Sequence, residues 1–140
     1  MERLIPTHSG QAVVENRTSA PFWAGVRAHR LMLQYDPQAG RYLFYPRPLG
    51  VYRAATALVW RESAGRGKLV AFTLTHFPAP GFEAITPYVE VLVQLDEGPR
   101  IFAPLQGRPY EDVAVGQRVQ VGWPAAGAQK SHPFWFEPEA

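Results

Sequence analysis

From Val70 onward, apolar and polar side chains alternate. Val70, Phe72 and Leu74 share one face of a strand whose other face carries Ala71, Thr73 and Thr75. Val89, Val91, Val93 and Leu95 alternate with Tyr88, Glu90, Leu92 and Gln94. Ile101, Ala103 and Leu105 form a third inward set, Val119, Val121 and Trp123 a fourth, and Phe134 with Phe136 a short closing strand. A period of two sends successive side chains to opposite faces of a sheet, so each run predicts a strand with one face in a core. Runs of this kind with Gly or Pro between them fit a five-stranded OB-type barrel; a β-sandwich satisfies the same alternation.

The first half of the chain reads differently. Phe22, Trp23, Val26 and Leu31 recur near helical spacing, Ser19 is suited to cap the helix, and Pro21 is tolerated in its first turn. So short a helix draws its stability from docking its apolar face. Residues 31–35 and 41–45 predict two strands around the turn Asp36-Pro37-Gln38-Ala39-Gly40, Pro46 and Pro48 then stop regular structure, and residues 56–60 suit a short strand. Residues 1–18 show no period and are expected to be an arm. The predicted organisation is therefore mainly β: the arm, a helix and hairpin over 19–60, and the barrel over 61–140.

Composition adds limits. At 140 residues with 46% hydrophobic side chains, the chain suits one domain with a real core, and its 14 Pro and 12 Gly suit short strands joined by turns. It has no Cys, hence no disulfide and no thiolate metal site, which fits a reducing compartment; no run suits a membrane span, and a cytoplasmic location is expected. Charge is divided unevenly: residues 1–65 hold eight Arg against four carboxylates, +4, and residues 66–140 hold six Lys or Arg against eight, −2. His8, His29, His76 and His132 lie at no metal-ligand spacing.

Leu33 to Arg53 has the outline of a zinc ribbon without ligands: the knuckle positions are Asp36 and Ala39, then Gly50 and Arg53. The segment keeps Gln34, Gly40, Arg41, Phe44, Pro46 and Arg47. In these residues it resembles the ribbon of the thiolase-associated proteins of domain of unknown function 35, where two Cys-x-x-Cys knuckles hold zinc ahead of an OB-fold. Pro21 to Arg27 is similar to that family's first helix. Gly65 to Thr73, Pro87-Tyr88-Val89, Val93 to Gly98, Val115 to Val119 and Phe134 are similar to its barrel, so the likeness covers residues 19–138. It implies a rubredoxin-like hairpin that is here metal-free, with no zinc and no tightly bound cofactor. Tyr35, Tyr42, Phe44, Tyr45 and Tyr52 are expected to supply packing in the metal's place.

The resemblance implies a non-catalytic accessory subunit that docks a thiolase-like acyl-CoA enzyme, with homo-oligomers also open. Phe22, Trp23, Phe44 and Tyr45 are the expected partner contacts, because rigid aromatic anchors suit interfaces. Coenzyme A or acyl-CoA is the implied ligand, with Arg47, then Arg41, Arg66 and Lys68, as the phosphate contacts a guanidinium fork or an ammonium group would make. A single-stranded nucleic-acid binder is the alternative, with Tyr88, Phe77, Phe82 and Phe102 as stacking residues. The net −2 of the barrel half opposes it. An independent small enzyme is disfavoured, since no base–nucleophile pair assembles from the sequence.

Overall fold

Five strands close on themselves in the order Trp135–Pro138, Arg100–Leu105, Tyr88–Leu95, Arg66–Thr75 and Arg118–Gly122, the barrel that the alternating half of the chain predicts. The computed structural model describes residues 3–6, 12–52, 56–77, 83, 86–125 and 133–140, with side chains from residue 15 onward. In chain order the elements are β1 (Arg3–Pro6), β2 (Ala12–Glu15), α1 (Ala20–Arg27), β3 (Met32–Asp36), β4 (Arg41–Leu43), β5 (Val59–Glu62), β6 (Arg66–Thr75), β7 (Tyr88–Leu95), β8 (Arg100–Leu105), β9 (Arg118–Gly122) and β10 (Trp135–Pro138). All barrel pairings are antiparallel except β10 with β8. β4, β3 and β5 form a separate sheet in that order. The segment expected to be an arm instead pairs with itself, β1 against β2.

The inward sets of β7 and β8 are buried as the alternation requires, Val91 and Val93 completely. β6 departs from it. Its register against β7 shifts between Leu69 and Ala71, so Val70 is an extra residue and the parity of the strand reverses there. Leu69, not Val70, is therefore the core residue before the bulge (1% exposed), and Phe72 and Leu74 resume the inward face after it. Gly67 is required by the same crossing: a Cβ there would collide with the Gln94 carbonyl oxygen and lie 2.9 Å from its carbon.

α1 and β3 share the barrel's core. Phe22, Val26, Leu31 and Leu33 belong to one continuous apolar cluster with Val91, Val93 and Phe136. Ser19 does precede α1, yet its hydroxyl makes no cap bond; it accepts from the Asn16 N–H at 3.1 Å while the Asn16 side-chain oxygen accepts from the Ser19 N–H at 2.9 Å. These reciprocal bonds form the turn that leads β2 into the helix.

Charge fastens the barrel's seam. Arg118 on β9 grips Asp96 with both terminal nitrogens, at 2.7 and 2.8 Å, and reaches Glu139 with Nε at 2.8 Å. The Arg118 bond holds the Asp96 carboxyl below its usual range, against a smaller opposing effect of burial. A depressed carboxylate stabilises the fold above its unfolded pKa, near 4, and that contribution vanishes as pH falls through the lower folded value. Asp96→Asn is thus expected to lower the melting midpoint at pH 7 by about 1–3 °C, small because the pair is exposed. At pH 2 the variant and the parent should melt closer together, which calorimetry at the two pH values checks.

Candidate functional site

α1, the segment after β4, and the edge of β8 meet around an apolar cleft of about 210 Å³. Its walls are Phe22 and Trp23 from the helix, Phe44-Tyr45-Pro46 from the segment, Ile101 and Phe102 from β8, with Phe134 and Ser19 closing the ends. Phe22 is the hub of this arrangement. Its ring stands edge-on to Trp23 at 5.0 Å, tilted to Phe44 at 5.5 Å, and edge-on to Phe134 at 6.2 Å. Phe44 in turn leans on Tyr45 with centroids 4.1 Å apart. The buried rings hold the cleft open while Tyr45 (58% exposed) and Phe102 (45%) present their faces to solvent.

All four aromatic residues that the sequence marks as partner contacts, Phe22, Trp23, Phe44 and Tyr45, are therefore brought to one place. Phe102 was legible only as a stacking candidate and Phe134 only as a strand residue. The signal for Phe102 lay in the alternation: an apolar ring at an outward position, between the buried Ile101 and Ala103.

The segment that forms one wall is held by a buried polar residue. Gln34, 5% exposed on β3, accepts from the Arg47 N–H and donates its amide to the Arg47 carbonyl, both at 2.7 Å. The aromatic packing expected at the hairpin's end is not what fills it. Tyr45 and Tyr52 are exposed, Tyr35 and Tyr42 meet edge-on at 4.8 Å but only half-buried, Phe44 packs with Tyr42 against the barrel's core, and the fully buried group at the turn is Asp36. Two of the rings carry cations instead, Arg61 over Tyr35 at 3.7 Å and Arg41 over Tyr52 at 4.8 Å.

The four basic residues do not form one cluster. Arg41 stacks on Tyr52 beside a polar recess of about 280 Å³ shared with Glu97 and Pro99. Arg66 lies 3.8 Å from Glu139 in the seam network, and Lys68 is paired in register with Gln94 and Arg118 on the barrel wall. Arg47 follows directly after the cleft wall, exposed, with its backbone fixed by Gln34.

The stacking candidates are also dispersed. Phe77 is 92% exposed at the end of β6, Phe102 belongs to the cleft, and Phe82 lies outside the described residues. Burial, and then the charge of Glu90, push the Tyr88 hydroxyl up, partly offset by a bond to Thr75; burial also raises Glu90. Of the histidines, His29 takes a left-handed backbone (φ 57°) and stacks on Trp123 at 5.4 Å, His76 is exposed, and His8 and His132 lie outside the described residues. Among the described residues no three of His, Cys, Asp or Glu gather as metal ligands, and no helix is long and apolar enough to cross a membrane.

Known proteins share this geometry and parts of this sequence. Residues 60–124 match the C-terminal OB-fold domain of ChsH2. A DUF35 domain-containing scaffold protein of Pyrococcus furiosus is 29% identical over 71% of this chain and 74% of its own length. The alpha subunit of a 3-oxo-4,17-pregnadiene-20-carboxyl-CoA hydratase of Mycobacterium tuberculosis is 33% identical over 86% of this chain, which spans only 36% of that subunit. Among solved structures, a chain of the Ltp2-ChsH2(DUF35) aldolase superposes with a TM-score of 0.74 at 26% identity, over 89% of this chain and 96% of that one. A DUF35 protein of Sulfolobus solfataricus shares the fold at 12% identity, with a TM-score of 0.61 over 89% of this chain and 87% of that one. The chain is similar to the DUF35 scaffold proteins, and its barrel is an OB-fold like that of the ChsH2 C-terminal domain.

Proposed function

We propose that this chain is a non-catalytic accessory subunit that docks an acyl-CoA enzyme of the hydratase, aldolase or thiolase-like kind, and that the aromatic cleft is its docking surface. The observation that carries the reading is the convergence of Phe22, Trp23, Phe44, Tyr45 and Phe102 on one open apolar cleft, in a chain that overlays 96% of a subunit of an aldolase assembly. Its volume of about 210 Å³ also bears on the occupant. Small-molecule sites run from roughly 300 to 1,000 Å³. This cleft suits an apolar side chain of a partner, inserted among aromatic walls as interface anchors are.

Coenzyme A enters the proposal only at the rim. Arg47 adjoins the cleft wall through Pro46, and among the described residues its guanidinium pairs with no carboxylate, so it is the residue best able to take a phosphate at the edge of the assembled complex. Arg41, Arg66 and Lys68 lie elsewhere and are secondary. The reacting groups would then belong to the partner.

Co-expression with acyl-CoA hydratase, aldolase and thiolase-like proteins of the same host, followed by gel filtration, tests the reading. A stable complex with one of them is the expected outcome. Elution of this chain alone in every pairing would remove the proposal.

A further inference from the structure

The turn between β3 and β4 and the segment beyond β4 approach one another around a single carboxylate. Asp36 is 0% exposed. Its Oδ1 accepts from the backbone N–H groups of Gln38 at 3.0 Å and Ala39 at 3.1 Å, and its Oδ2 from the Thr56 hydroxyl at 3.0 Å. The Thr56 carbonyl accepts from the Gly50 N–H at 2.9 Å. Gly50 packs so tightly that a Cβ added there would lie 2.7 Å from Asp36 Oδ2 and would collide with the Thr56 hydroxyl.

Asp36, Ala39 and Gly50 are three of the four knuckle positions of the cysteine-bearing ribbon that the sequence resembles, and the fold brings them together; Arg53, the fourth, lies outside the described residues. Their chemistry does not fit zinc. A structural zinc takes four ligands, almost always thiolate or imidazole. Here one carboxylate faces two N–H groups and a hydroxyl that donate to it, and an N–H donor offers a cation no lone pair. The space a ligand on residue 50 would need is occupied by Thr56.

We infer that the Asp36 carboxylate, with the Thr56 hydroxyl, staples this hairpin in place of an ion. One oxygen fixes the turn; the other fixes Thr56 and, through its carbonyl, Gly50. Three donors satisfy a buried carboxylate whose oxygens would otherwise lack hydrogen-bond partners. Gln34 lies two residues earlier on the same face of β3 and clamps Arg47. Together the two side chains hold the stretch from Phe44 to Gly50 from behind, so the shape of the cleft wall does not depend on metal supply. The inference stands apart from the docking proposal, because its test needs no partner.

Metal analysis and thermal melting of the full chain decide it. The purified protein is expected to carry below about 0.1 zinc per chain, and dialysis against EDTA should leave its melting midpoint unchanged. Asp36→Ala strips the acceptor from three donors and should lower the midpoint by about 5–10 °C. Should that variant not accumulate as folded protein, Thr56→Val carries the test, with an expected drop of about 3–6 °C. About one zinc per chain whose chelation lowers the midpoint would overturn the inference. So would a Thr56→Val variant that melts with the parent.

Discussion

Phe22→Ala is expected to cost about 3–5 kcal/mol of folding stability, the range for deleting a buried aromatic ring. Phe22 is 4% exposed and its ring contacts Trp23 on the helix, Phe44 beyond the hairpin and Phe134 beside the barrel. Those three neighbours come from three parts of the chain, so no single side chain can relax into the void. The eight-residue helix that carries Phe22 has little stability of its own and depends on this contact to stay docked. Set against a typical total of about 5–15 kcal/mol, the loss would be a large share of what holds the protein together. Urea denaturation measures it. A loss below about 1 kcal/mol would mean that the helix is not anchored where the fold puts it. Phe22→Leu, which keeps most of the apolar volume, should recover much of the difference.

What the sequence could and could not reveal follows from which forces act locally. Val89, Val91, Val93 and Leu95 were legible because a half-buried antiparallel strand must alternate, and all four are buried. Leu69 was missed because a bulge reverses parity at one residue, and nothing in Lys68-Leu69-Val70 marks where the extra residue falls. The docking candidates Phe22, Trp23, Phe44 and Tyr45 were readable as aromatic residues next to prolines, rings that a core alone does not require. Their meeting with Phe102 was not, because that contact joins positions far apart in the chain. Asp36 misled in a more instructive way. It stands at a knuckle position, and the aromatic residues around it are what the sequence offers in the metal's place. The staple inferred above is a hydrogen-bonded carboxylate, whose partners are two backbone amides and a Thr twenty residues away, donors that composition does not display.

The largest effect on assembly is expected from the two rings that line the cleft yet contribute least to folding. Tyr45 and Phe102 are 58% and 45% exposed, so truncating either removes little buried area in the isolated chain. In a complex that fills the cleft, each ring would lose its solvent-facing side to the partner, the setting in which aromatic residues become hot spots. Tyr45→Ala and Phe102→Ala should each weaken binding of the acyl-CoA enzyme by about 10- to 30-fold, and the double variant by about 100-fold or more. The two rings share one cleft, so some departure from additivity belongs to the prediction. Titration calorimetry gives the affinities, and melting midpoints close to the parent's would separate lost docking from lost folding. Phe77→Ala supplies the decisive control. That ring is 92% exposed, more than either, but stands at the end of β6 outside the cleft. If exposure alone made a ring sticky, Phe77 would matter most; if the cleft is the docking surface, its removal leaves the affinity unchanged.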